Sequence, residues 1–242
     1  MVATFTALFA AHLLGDFVFQ TEWMVTRKRR PRVLALHVSI VAAASYLLLG
    51  TFDWRILLAI FTTHFAIDAV KVHYFPDSLA PLLVDQFLHL AVLLGLACWL
   101  PDAANAGWWI AGLKSDLSRC YFASLSFVSG LILCVPAGGI LIARCTRRFT
   151  DEIRETDIAG LTKGGQYIGW LERFLAMLLL LMNQPTGIGF LIAAKSILRF
   201  GEIREPSQRK VAEYIIIGTF FSFGWALVIS WLTQKAIRYW LP

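Results

Sequence analysis

The stretch APLLVDQFLHLAVLLGLACW, Ala80 to Trp99, decides the fold. About 20 residues at 1.5 Å rise each cross the hydrocarbon layer of a bilayer, and this run has that length and an almost wholly apolar composition. Asp85, Gln86 and His89 interrupt it. A membrane helix is thus indicated together with polar groups that need partners or a task, since one charged residue at mid-helix costs about 2.5–3.5 kcal/mol on insertion scales.

Outward from this run the same pattern recurs. Counting it, eight apolar runs cover roughly residues 4–20, 33–50, 55–75, 80–99, 120–143, 167–183, 185–199 and 211–232. The chain is 58% hydrophobic and 16% charged, too apolar to be hidden in a water-soluble core, so lipid must act as solvent. The expected fold is all-α, a polytopic transmembrane bundle of about eight helices. The first run carries His12 and Asp16 and lacks a small-residue cleavage site, so it reads as a retained helix and not a secretion signal. Cys98, Cys120, Cys134 and Cys145 have no paired spacing, which argues against a disulfide framework or a thiolate metal site.

Orientation follows from the cations. Arg27 to Arg32, Lys71, Arg144 to Lys163 and Arg199 to Lys210 lie in connections on one side, where they outnumber Arg55, Lys114, Arg119, Lys235 and Arg238 on the other. Basic residues are retained in the cytoplasm, so both termini are expected outside, in the periplasm of a bacterial inner membrane. The net charge of +6 is explained by this asymmetry and by anionic head groups, and no nucleic-acid role is read from it. The organisation expected is a four-helix half over residues 1–100, an outer linker over 101–119 with Trp108 and Trp109 at the interface, and a second half over 120–242.

The interruptions carry the chemistry. The first run reads His12-Leu-Leu-Gly-Asp16-Phe-Val-Phe-Gln20, whose spacing puts imidazole, carboxylate and amide on one helical stripe, with Gly15 allowing close helix approach. The third reads His64-Phe-Ala-Ile-Asp68-Ala-Val-Lys71, the fourth Asp85-Gln86-Phe-Leu-His89, and the second adds His37. With alternate helices descending and ascending, these groups fall at one depth in the cytoplasmic half of the bundle. Imidazole and carboxylate from facing helices are the ligand set of catalytic zinc, iron and manganese sites. The bland alternative is a buried polar network that only ties helices together. His73 lies on the opposite face from His64 and is read as an interface residue.

The second half brings Glu172 and Arg173, Lys195 and Arg199, and Glu213 to the same side. They read either as ion pairs locking helices or as a cationic pocket for an anionic head group. Gly187 and Gly189 read as packing residues, since no strand precedes them and no dinucleotide or P-loop motif is present.

The segment His12 to Gln20, with His64, Asp68 and Lys71 and then Asp85, Gln86 and His89, resembles the bacterial inner-membrane family catalogued as domain of unknown function 3307. Ile168 to Arg173, Ala194 to Phe200 and Glu213 to Thr219 are similar to the C-terminal part of its longer members. The resemblance brings a family and no activity. The HxxxD helices are also similar, more weakly, to membrane proteins labelled metal-dependent hydrolases.

The expected function is a membrane-embedded metal-dependent hydrolase at the cytoplasmic leaflet, acting on a lipid phosphate or other anionic amphiphile, with membrane lipids as partners and homo-oligomerisation left open. His12, Asp16, His64, Asp68, Asp85 and His89 are the expected ligands of one or two divalent ions, zinc first, then manganese or iron. His37 is an added ligand or general base, Gln20 and Gln86 orient ligands, and Lys71, Arg173, Lys195 and Arg199 bind the substrate anion with Glu172 and Glu213 orienting them. The alternatives are a metal-ion or proton-coupled transporter or channel, with Pro136 and Pro185 breaking helices, and a membrane scaffold or sensor.

Overall fold

The computed structural model describes residues 1–150, 163–199 and 209–242, with only the backbone given for Leu198, Arg199 and Arg209. Among the described residues every regular element is a helix: α1 (Val2–Phe17), α2 (Glu22–Arg27), α3 (Pro31–Leu49), α4 (Trp54–Tyr74), α5 (Leu79–Trp99), α6 (Ser115–Ile132), a π-helical turn (Leu133–Ala137), α7 (Gly138–Thr150), α8 (Gly164–Leu181), α9 (Thr186–Arg199) and α10 (Arg209–Trp240). Among the described residues five helices are long and apolar enough to cross a membrane: α3, α4, α5, the continuous helix from α6 to α7, and α10. The apolar α1 and α9 are shorter, and α8, which carries Gln166, Glu172 and Arg173, is not among the five.

Local chemistry sets the boundaries. Pro31 occupies the first turn of α3, where its missing N–H costs nothing, and Gly50 ends that helix in the left-handed region at φ 67°. Asp53 caps α4 by accepting from the Arg55 amide at 3.0 Å. Between the first run and the basic stretch, Glu22–Arg27 folds into the short helix α2, capped by Thr21 Oγ1 accepting from the Met24 amide.

The chain forms two compact units, Met1–Ser129 with Ala236–Pro242, and Gly130–Lys235. In the first, α1 packs against α3 and α5, and α4 packs against the same two, closing a four-helix ring whose short connections make neighbours antiparallel. Gly15 is needed here: a Cβ on it would sit 2.5 Å from Val41 Cγ2, so α1 and α3 touch backbone to side chain. Leu8, Val41, Leu49, Ile56, Ile60 and Leu93 fill one end of the ring. The segment after α5 folds over that end, with Thr4 Oγ1 donating to the Pro101 carbonyl, the Ala104 amide donating to Thr4 Oγ1, and the Trp108 amide donating to the Gly50 carbonyl. The other end of the ring is left to the polar groups.

In the second unit, Cys134, Met177, Phe223 and Ala226 form the core. Pro136 does not break the helix; it sits in the π turn, where the loosened ladder leaves carbonyls to be satisfied. Trp225 Nε1 donates to the Leu133 carbonyl at 2.8 Å and Arg173 Nη2 to the Val135 carbonyl at 3.1 Å. Pro185 lies in the turn between α8 and α9 and interrupts neither.

Candidate metal centre

Four helices of the first unit each aim polar side chains at the bundle axis. The i, i+4 spacing puts His12 and Asp16 on the inner stripe of α1, His64 and Asp68 on that of α4, and Asp85 and His89 on that of α5, while α3 supplies His37. None of the seven is more than 8% exposed. So much buried polarity is tolerable only if each group is paired or coordinates something.

Four of their atoms lie close together. His37 Nε2 lies 3.2 Å from His64 Nε2, 3.3 Å from Asp16 Oδ1 and 3.4 Å from Asp68 Oδ2, and His64 Nε2 lies 3.3 Å from Asp16 Oδ1 and 3.5 Å from Asp68 Oδ2. Ligands about 2.0–2.1 Å from a tetrahedral zinc ion are about 3.3–3.4 Å from one another, so each of these five spacings is close to that between two ligands of one ion. His12, Asp16 and His64, then His37, His64 and Asp68, then Asp68, Asp85 and His89 each bring one donor atom per residue within 4.8 Å of the others.

The surrounding residues orient these groups. Gln86 is the hub: its Nε2 donates to Asp16 Oδ2 at 3.2 Å and Asp85 Oδ2 at 3.1 Å, so its Oε1 accepts from His12 Nε2 at 3.2 Å. That fixes the His12 tautomer and leaves Nδ1 with no hydrogen-bond partner. His89 Nδ1 donates to the Asp85 carbonyl at 2.9 Å, which leaves Nε2 bare. The imidazoles lie close, with ring centroids 4.1 Å apart for His64 and His89 and 4.9 Å for His12 and His89.

Two lysines meet the carboxylates. Lys71 Nζ is 2.6 Å from Asp85 Oδ2, as its place on the His64 stripe allowed. Lys28 is the residue that sequence reasoning missed. It belongs to the basic run after α1 and counted only toward the orientation, yet it is buried, with Nζ 2.7 Å from Asp68 Oδ2. With its amide turned to donate to the Asp16 carbonyl, Gln20 accepts from Lys28 Nζ at 2.7 Å, so the amide at the end of the α1 stripe holds the lysine in place. Three buried aspartates thus face two lysines, and Asp16 is left with imidazoles and an amide as neighbours.

The remaining expected residues lie elsewhere. Glu172 and Lys195 form an ion pair at 2.8 Å in the second unit. Arg173 is buried there on the Val135 carbonyl and Ser222 Oγ, Glu213 is exposed on α10, and the Arg199 side chain lies outside the described residues. His73 is exposed and hydrogen-bonds the Ala69 carbonyl, apart from the cluster.

No curated protein and no solved structure matches the chain. Residues 4–110, which carry every helix of this ring, match the family described as "Protein of unknown function (DUF3307)". This is the family that the motifs on α1, α4 and α5 resemble, and the match spans the helices that build the polar cluster.

Proposed function

We propose that the first unit holds a divalent metal ion between Asp16, His37, His64 and Asp68, and that the protein is a membrane-embedded metal-dependent hydrolase acting on an anionic amphiphile at the cytoplasmic leaflet. The observation that carries this reading is the five separations of 3.2 to 3.5 Å that link His37 and His64 to each other and to Asp16 and Asp68, in a buried cluster. The residue types fit: neutral imidazole and carboxylate suit zinc, manganese and iron, with zinc first for a tetrahedral nitrogen and oxygen set. A bound ion would supply Lewis acidity toward a phosphoryl or acyl oxygen and toward water.

The chain's own groups have separate tasks in this scheme. Gln86 fixes Asp16 and His12 together, and His12 Nδ1, buried without a partner, is the atom free to take a proton from attacking water. Lys28 and Lys71 offset the carboxylate charge and are the nearest cations for a substrate anion. A lipid phosphate is the substrate class that meets a site between membrane helices. The net reaction adds water across the scissile bond.

The test is the metal content of the detergent-purified protein. Stoichiometric zinc, manganese or iron in the wild type, lost in folded His37→Ala and Asp68→Ala variants, followed by metal-dependent hydrolysis of phospholipids or lipid phosphates, is the expected result. No bound metal after incubation with each ion would refute it. A second reading, proton conduction, draws on the run of imidazoles His12, His89, His64 and His37. It predicts proton flux in metal-free liposomes, abolished by His64→Ala.

A further inference from the structure

Beside the four atoms assigned above lies a second set. Asp68 Oδ1, Asp85 Oδ1 and His89 Nε2 are all buried, and none has a hydrogen-bond partner. One donor atom from each of the three side chains lies within 4.8 Å of one from each of the others, and each residue is at most 3% exposed. Three orphaned acceptors at buried positions are costly, since each forfeits the hydrogen bonds it made with water in the unfolded chain.

In every case the protein anchors the other atom of the same group. Asp68 Oδ2 is held by Lys28 at 2.7 Å. Asp85 Oδ2 is held by Lys71 at 2.6 Å and Gln86 at 3.1 Å. His89 Nδ1 donates to the Asp85 carbonyl, so its free Nε2 carries the lone pair and not the proton. The free atoms are therefore oriented acceptors with no donor supplied by the chain, which is how outer groups orient the ligands of a metal.

We propose that this second set binds its own divalent cation, so that the bundle holds a two-metal centre to which Asp68 belongs on both sides. The inference rests on the single-ion reading above and adds to it a site, its ligands and a substrate geometry. Two ions about 3.5–4 Å apart clamp the attacking and leaving oxygens of a phosphoryl group together. A phosphate ester is therefore the substrate class that a paired site favours over a carboxylic ester.

Full-length protein in detergent is stripped, equilibrated with zinc, desalted and assayed for bound metal, with retained helical content checked by circular dichroism. About two zinc ions per chain are expected in the wild type and about one in Asp85→Asn and in His89→Gln. About one in the wild type, unchanged in both variants, overturns the second site and leaves the first standing. No zinc in the wild type overturns the first reading as well. Should either variant fail to fold, the manganese-loaded wild type decides alone: an exchange-coupled electron paramagnetic resonance signal supports the paired site, and the six-line spectrum of isolated ions at saturation overturns it.

Discussion

Lys28 has the same side chain as its neighbours in the basic run, and its energetics differ from theirs because of one contact. Its ammonium is held at Asp68 by a carboxylate that is 1% exposed, whereas Arg27, Arg29 and Arg30 are exposed. Breaking a buried pair by removing one partner strands the other charge and costs about 3–5 kcal/mol. Lys28→Met is therefore expected to lower the melting temperature of metal-free protein strongly. In metal-loaded protein the loss is expected to be smaller, because the ion then neutralises Asp68. Thermal unfolding of both forms with and without chelator checks this. Equal losses in the two forms would separate Lys28 from the metal centre. Within the polar cluster, His12 and His64 were legible from their i, i+4 partners Asp16 and Asp68. His37, with no i, i+4 partner on its own helix, was legible only as an added ligand or general base, because its contacts all reach across to other helices.

At the level of the helix, the approach of α1 to α3 at Gly15 sets where Asp16 stands. A methyl group at Gly15 would meet Val41 Cγ2 at 2.5 Å, so the helices must separate, at a cost of about 1–3 kcal/mol for an overpacked contact. Gly15→Ala is expected to lower stability by that order and to weaken metal retention through displacement of the adjacent Asp16, both measured on detergent-purified protein. Unchanged metal affinity would show that α3 yields instead of α1. The other end of the ring depends on a simpler device. Asp53 caps α4, and the Arg55 guanidinium beside it holds its carboxyl below the usual carboxylate range. Because the folded-state value is depressed, this contribution is complete above the ordinary carboxyl value of about 3.9 and is lost as pH falls through the folded value. Asp53→Ala is expected to cost about 0.5–2 kcal/mol near neutral pH, and the difference from wild type should shrink in acid. A pH series of thermal melts reads both.

For the whole chain, the arrangement of the basic connections predicts that both termini face outward, with Arg27 to Arg32 in the cytoplasm. Alkaline phosphatase fused after Pro242 is expected to be active, and the same enzyme inserted after Arg30 inactive. The reverse pattern would place the lysines that meet Asp68 and Asp85 on the outer side and remove the cytoplasmic leaflet from the proposed function. A bound ion also couples to the stability of the unit that holds it, by about 2.7 kcal/mol at a hundredfold excess over its dissociation constant. Chelation is therefore expected to lower the melting temperature of the purified protein, and readdition of the cognate ion to restore it. A melting curve indifferent to chelator and ion would count against a bound metal.

The sequence by itself determined the solvent, the helical class and the stripes. Apolar runs of membrane length leave no other way to satisfy the backbone, and a spacing of four residues on a helix returns a side chain to the same face. It also made the polar residues of the first, third and fourth runs candidates, because burial in lipid is too costly for idle charge. Only the tertiary structure decided that His37 stands among the four close donor atoms, that Gln86 links two helices' carboxylates, that Lys28 turns inward from a basic run, and that the carbonyls loosened around Pro136 are taken by Trp225 and Arg173. The reason is the same in each case. A hydrogen bond or ion pair between helices depends on their rotation and separation, which are set by packing at places such as Gly15 and Val41, and no periodicity within one helix records its neighbour's orientation.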